Sequence, residues 1–228
     1  MKLRLSKIQE EVADIKTFVF TPQEPVKWLS GQYIHCTLPH TPADDRGNER
    51  WFTISSAPFE HNISFTTRIF DAPSTFKMHL LELKVGEVIE TEEPEGDFVV
   101  TDKFANYVFV AGGIGITPFR SILSAMKNEG SSLNVELLYA NRGSESIIFK
   151  DELEAIAAEY PTFNIEYFIG DIQIDEKALA RYNDKLDSPI FMLSGPEPMV
   201  KAFDDTLRSI GVDDAHRMRD NFPGYEGI

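Results

Sequence analysis

The sequence predicts two domains, an N-terminal antiparallel β-barrel followed by a C-terminal α/β domain on a doubly wound parallel sheet. Three observations carry this expectation. At 228 residues the chain exceeds the commonest single-domain size of roughly 100 to 150 residues and is short for three domains. The first half places its apolar residues in short alternating stretches broken by turn residues. From Asn106 onward they form continuous runs separated by helical patterns. The boundary belongs between Val99 and Ala105, because β-rich and α/β halves rarely interleave in one core, giving domains 1–101 and 102–228.

In the first half Leu3 and Leu5 alternate with charge, TFVF precedes Thr21-Pro22, and GQYIHCTL stops at Pro39. The stretch from His40 to Glu49 has no apolar periodicity and carries Pro, Asp, Gly and Asn, so it reads as a surface loop. Strands resume at RWFTIS, ISFTTRIF and GEVIET, with one helical segment at STFKMHLLELK, which predicts a closed barrel carrying a single helix. In the second half YVFVA, VELLYA, FNIEYFI and PIFML are runs of the kind buried on both faces of a parallel sheet. Phe119, Ile122, Leu123 and Met126 share one helical face, as do Val200, Phe203, Leu207 and Ile210.

Composition narrows the function. Hydrophobic residues at 42% and charged residues at 26% are ordinary for a globular chain with real cores. A formal net charge of −15 opposes binding to nucleic acid or anionic membrane. No apolar run approaches the roughly 20 residues that cross a bilayer, and the N-terminus does not read as a signal peptide. A single cysteine, Cys36, forms no internal disulfide and cannot supply four thiolates to an iron-sulfur cluster. A cytoplasmic protein without its own cluster is expected. Zinc-hydrolase spacing and the G-x-S-x-G elbow are both missing.

Chemistry concentrates in three segments. Gly112, Gly113, Gly115, Ile116, Thr117 and Pro118 follow the YVFVA strand and open a helix, where glycine lets backbone approach a pyrophosphate and free N–H groups attract an anion. Ser194, Gly195 and Pro196 repeat that logic after PIFML, and ligands of such sheets sit beyond the strands' carboxyl ends. Arg50, Trp51, Phe52 and Thr53 combine a planar phosphate fork, ring faces and a hydroxyl.

Together these segments resemble the ferredoxin-NADP reductase superfamily, over nearly the whole chain and in the family's order. Arg50, Phe52 and Thr53 match its Arg-x-Tyr-Ser/Thr motif with phenylalanine for tyrosine, and GGIGITP matches its dinucleotide turn. Ser194-Gly195-Pro196 stands where many members have Cys-Gly-Pro. GQY after Trp28 and EPEGDF resemble two further family segments. The resemblance implies a FAD-binding barrel and an NAD(P)-binding α/β domain that ends in an aromatic tail. By it Arg50 would hold the pyrophosphate, Phe52 would pack on the flavin, and Thr53 would lie near flavin N5. Thr66, Thr67, Arg68, Ser74 and Thr75 would hold the FAD tail, and Phe222 or Tyr225 would cover the flavin ring.

The implied activity is an NAD(P)H-dependent flavoprotein reductase that passes a hydride to FAD and electrons to a separate acceptor, a protein or a small molecule. A flavin reductase using flavin as substrate, or a catalytically silent flavin-binding protein, is the alternative. The VELLYA strand ends in Asn141-Arg142 without the acidic residue that grips an NAD ribose, which slightly favours NADP through Arg142, while Glu145 counts against it.

Overall fold

The computed structural model describes residues 1–222, of Phe222 the backbone only. The chain forms two compact units, Met1–Val99 and Val100–Ile228.

The first unit holds strands β1 (Lys2–Val12), β2 (Ile15–Pro22), β3 (Tyr33–Thr37), β4 (Glu49–Thr53), β5 (Ile63–Arg68) and β6 (Val88–Thr91), with helix α1 (Thr75–Glu82) before β6. They make one six-stranded sheet in the order β4-β3-β6-β1-β2-β5, paired antiparallel throughout. Alternation puts Leu3, Leu5, Phe18, Phe20, Ile34 and Ile63 inside, where Phe18, Phe20 and Phe52 gather around the Phe65 ring at centroid distances of 5.6, 5.4 and 4.2 Å. Phe76 and Leu80, one turn apart on α1, bury against the same cluster.

The expected closure into a barrel is only partial. Edge strands β4 and β5 meet through the single bridge Ile54↔Phe65 and the bond from Ser55 N–H to the Ser64 carbonyl at 2.8 Å. Pairing stops there because the chain turns at Ala57 into a 3-10 turn, Pro58–Glu60, and Pro58 has no N–H to extend a ladder.

The second unit holds β7 (Tyr107–Gly112), α2 (Thr117–Asn128), β8 (Val135–Asn141), α3 (Lys150–Glu159), β9 (Phe163–Ile169), α4 (Glu176–Lys185), β10 (Ile190–Pro196), α5 (Glu197–Ser209) and β11 (Arg217–Phe222). The sheet is parallel in the order β11-β10-β7-β8-β9. One face packs Val108, Val110, Leu138 and Leu193 with Leu179 of α4 and Val200 and Leu207 of α5. The other face receives α2, whose Phe119 stacks on Phe109 at 4.5 Å. From β7 the chain runs outward through β8 to β9, then returns to lay β10 on the far side of β7. Strand order therefore reverses between β7 and β10, the place where open α/β sheets leave a crevice at their carboxyl ends.

Candidate functional site

In the first unit a group of cations surrounds the start of α1. Arg50, on edge strand β4, donates from Nη1 to the carbonyls of Arg46 (2.8 Å) and Gly47 (3.4 Å), and its guanidinium lies 5.1 Å over the Phe76 ring. Its Nη2 is buried without a hydrogen-bond partner, 4.0 Å from Asp44 Oδ1. Burial, then the charges of Arg50, Arg46 and Arg68, pushes the Lys77 ammonium down to about 8. Four cations thus converge in a chain of net charge −15.

The polar loop before β4 is tied to the same helix. Asp44 Oδ2 accepts from the Thr75 N–H at 2.9 Å, Thr75 Oγ1 accepts from the Asp44 N–H at 2.9 Å, and His40 Nε2 lies 2.8 Å from that hydroxyl. The Thr75 N–H, chiefly, holds the Asp44 carboxyl below its usual range. Ser74 caps α1 by accepting from the Lys77 N–H at 3.3 Å. Asp44, Arg46 and Lys77 were not among the residues singled out from the sequence. Their only signal was charge in a loop and on a helix, which solvation explains equally well.

Other expected residues are engaged elsewhere. Phe52 is 8% exposed, its ring in the core against Phe65. Trp51 points the opposite way, 57% exposed, stacked at 4.5 Å on His35, which lies between Glu49 and Glu92. Thr53 is buried opposite Tyr33. The Thr66 hydroxyl belongs to a buried chain of hydroxyls with Thr17 (2.8 Å) and Ser55 (3.2 Å), and Ser55 reaches Ser64 at 2.9 Å. Thr67 is buried, and Arg68 pairs with Asp14 at 2.7 Å.

In the second unit, β7 runs into a 3-10 turn, Gly113–Ile116, and then α2, with Thr117 and Pro118 in its first turn. Gly113 has φ +52° and needs glycine's conformational freedom. At Gly115 the requirement is space: an added Cβ would sit 2.1 Å from the Ser194 carbonyl oxygen. At Gly112 it would meet Met199 Sδ at 2.4 Å, and at Gly195 Met199 Cε at 2.6 Å. The two glycine turns at the crevice therefore pack directly on one another. Ser194 Oγ donates to Asp220 Oδ2 of β11 at 3.0 Å, and burial pushes the Asp220 carboxyl up to about 6. Nothing in the strand HRMRDN marks a partner for Asp220, so this pair is not legible in the sequence.

At the tip of β8, Arg142 is exposed, whereas Asn141 is 9% exposed with neither side-chain amide atom hydrogen-bonded. Tyr225 and the Phe222 side chain lie outside the described residues. Among the described residues, three or more His, Cys, Asp or Glu nowhere group to hold a metal, and no helix is long and apolar enough to cross a membrane.

Comparison with known proteins agrees with this architecture. Residues 109–205 match the oxidoreductase NAD-binding domain family. The chain is 29% identical, over 231 aligned positions, to the ferredoxin reductase component of 3-ketosteroid-9-alpha-monooxygenase from Mycobacterium tuberculosis (strain ATCC 25618 / H37Rv), covering 93% of this chain and 62% of the relative. Its fold matches the FAD/NAD binding domain of nitric oxide dioxygenase from Vibrio cholerae with a TM-score of 0.81 and 20% identity, covering 97% and 98% of the two chains. The chain has the fold of the ferredoxin-NADP reductase-like superfamily. Another structure with the superfamily fold is the ferredoxin-NADP+ reductase of Plasmodium falciparum, with a TM-score of 0.81, 18% identity and coverage of 97% and 95%. The Candida albicans flavohemoprotein is 32% identical over 206 aligned positions, covering 85% of this chain and half of its own length (50%). Of the superfamily motif running from Arg50 to Thr53, the structure brings Arg50 into the cationic group and Phe52 into the core.

Proposed function

We propose that this chain is an NAD(P)H-dependent flavoprotein reductase, with FAD held by residues 1–101, the dinucleotide by residues 102–228, and electrons leaving to a separate acceptor in the cytoplasm. The observation that carries this reading is the unpartnered, buried Nη2 of Arg50 within the cationic group at the start of α1. A guanidinium so placed fits a diphosphate, which offers acceptor oxygens and the negative charge that the cluster calls for.

On this reading Arg50 and Lys77 bind the FAD pyrophosphate, with Ser74 and Thr75 shaping the helix start. Thr53, at the end of β4, is the hydroxyl assigned to the flavin heterocycle. When bound, FAD supplies hydride acceptance from reduced nicotinamide and the release of electrons singly or in pairs. In the second unit the Gly113–Ile116 turn and the N-terminus of α2 receive the dinucleotide phosphates. Ser194, with its proton held on Asp220, fixes a hydroxyl beside the crevice. The acceptor is read as a separate oxygenase or ferredoxin component, since similar chains are a monooxygenase's ferredoxin reductase component and a glycine betaine monooxygenase reductase subunit.

One observation favours the flavin-reductase alternative: with Phe52 packed on Phe65, the motif's ring offers little open face to hold an isoalloxazine tightly. The deciding experiment is chromatography of the flavin released from purified protein, followed by anaerobic addition of NADH or NADPH. Stoichiometric FAD that bleaches on addition supports the reductase, and Arg50→Ala should lose roughly tenfold or more in FAD affinity, the scale of one charge-assisted contact. FMN in place of FAD, or an Arg50→Ala protein that retains FAD like wild type, would refute the assignment.

A further inference from the structure

On the outer face of the first unit's sheet, Trp51 is 57% exposed and serves none of the roles assigned above. It points away from Arg50 and Phe52, since successive residues of a strand face opposite sides. A single exposed apolar side chain is ordinary on a protein surface. This one is held in place. Its ring stacks on His35 of the paired strand β3 at 4.5 Å, nearly parallel at 15°. The largely buried His35 side chain is fixed in turn between carboxylates, with Nε2 3.5 Å from Glu49 Oε2 and Nδ1 3.4 Å from Glu92 Oε2. A ring fixed this way loses little conformational freedom when a partner is laid on it.

The strand register shows what surrounds the ring. Glu49 and Glu90 both lie opposite Thr37, and Glu95 bridges to Tyr33. Tyr33, His35 and Thr37 alternate onto one face, so Glu49, Glu90 and Glu95 share it with Trp51. The contact with His35 brings Glu92 to the same face. All four glutamates are exposed, and Lys2 lies 4.0 Å from Glu90, which leaves the patch negative. With one side of the indole on His35, its exposure is of the other side and the edge. An aromatic ring inside an acidic rim is complementary to a basic surface, because a guanidinium or ammonium is drawn to the ring face and to the carboxylates alike. A second copy of this chain would bring a net charge of −15 against the same rim and is disfavoured.

We propose that this face docks the electron acceptor, and that the acceptor is a protein with a basic docking surface, one Arg or Lys of which is laid on Trp51. The proposal rests on the reading of this chain as a reductase. Thr53, the hydroxyl assigned above to the flavin heterocycle, follows Trp51 by two residues on the same face of β4, roughly 7 Å along the strand. A partner seated on Trp51 is thereby close to the group that releases electrons. In this arrangement Trp51 is the anchor that supplies most of the affinity, as fixed aromatic side chains at interface centres do. The glutamates around it act mainly on the rate of encounter.

The test uses the full chain with its flavin and takes oxidised cytochrome c, a basic haem protein, as the probe. Its reduction by NAD(P)H is followed beside that of ferricyanide at low and high salt, and its binding is measured by titration calorimetry. Wild type is expected to reduce cytochrome c with a kcat/KM that falls as salt rises. Trp51→Ala should lose roughly tenfold or more in that kcat/KM and in affinity for cytochrome c, the scale of an aromatic anchor, with ferricyanide turnover unchanged. Should Trp51→Ala fail to fold, Trp51→Gln must show the same selective loss. Glu49→Gln combined with Glu92→Gln should lower kcat/KM severalfold at low salt and little at high salt. The same charge change at the exposed Asp171 and Asp184 of the second unit should do much less. Equal losses from the two pairs would show that net charge alone attracts the probe, and would overturn the proposal. Cytochrome c bound and reduced as well without Trp51, or a loss shared equally by ferricyanide, would overturn it too. So would tighter binding of an acidic ferredoxin, or self-association in sedimentation that Trp51→Ala abolishes. A wild type that reduces neither acceptor refutes the reductase reading itself, whereas one that reduces ferricyanide but neither binds nor reduces cytochrome c refutes the docking proposal alone.

Discussion

At the scale of single residues, Asp220 shows how burial makes an ordinary carboxylate sensitive to pH. Its proton is lost near pH 3.8 in the unfolded chain and near pH 6 in the folded one. Well below pH 4 both states hold it, so the group costs nothing there. As pH rises through this window the folded protein keeps a proton that the unfolded chain has released, so stability falls, and above pH 6 the full cost is present. That cost is on the order of 2 to 3 kcal/mol. Asp220→Asn keeps an acceptor for Ser194 Oγ and removes the charge. It should melt above wild type at about pH 8 and level with it at about pH 3. A gap of the same size at both pH values would disprove this account of Asp220.

Elements are joined here by close approach and by charge. The glycine turn after β7 touches β10 so tightly that Gly115→Ala would drive Cβ into the Ser194 carbonyl, a backbone atom that cannot swing aside. Overpacking of this kind costs typically 1 to 3 kcal/mol, so urea unfolding of the variant should show a loss at least that large. A change within about 0.5 kcal/mol would mean that the two turns have room to separate. At the other side of the crevice, α5 is clamped to β11 by Asp204, 10% exposed in its side chain, which takes Arg208 (3.0 Å), Arg219 (2.9 Å) and the buried Arg217 (3.3 Å). Replacing Asp204 by Ala strands Arg217 without that carboxylate, for an expected cost of about 3 to 5 kcal/mol. Retained stability would show that Asp214, 3.1 Å from Arg217, suffices by itself.

For the whole molecule, a net charge of −15 governs encounter with a partner more than it governs folding. An acidic ferredoxin would be repelled at long range, so its reduction by NAD(P)H should be slow at low ionic strength and should quicken as salt screens the repulsion. Ferricyanide-type acceptors test turnover without protein docking and should be reduced readily. Fast ferredoxin reduction that slows with salt would instead show a docking patch where the local positive charge outweighs the net charge.

The sequence by itself determined the elements and their layers. Alternation marked Leu3 and Leu5 as inward, and the continuous apolar runs marked β7, β8 and β10 as strands covered on both faces, whereas the edge strand β9 is largely only half buried. These signals are local, because side-chain direction repeats every two residues in a strand and every 3.6 in a helix. Motif order was enough for the superfamily's fold as well. Only the tertiary structure decided how the barrel-like sheet meets itself at Ile54 and Phe65, that Phe52 faces Phe65, and that Thr66 spends its hydroxyl on Thr17 and Ser55. It also joined Asp44 to Thr75 and Ser194 to Asp220, pairs separated by 31 and 26 positions. No periodicity links residues so far apart. The lack of a partner at Asn141 is further still from the sequence, since a hydrogen bond is absent only relative to everything the fold has brought near.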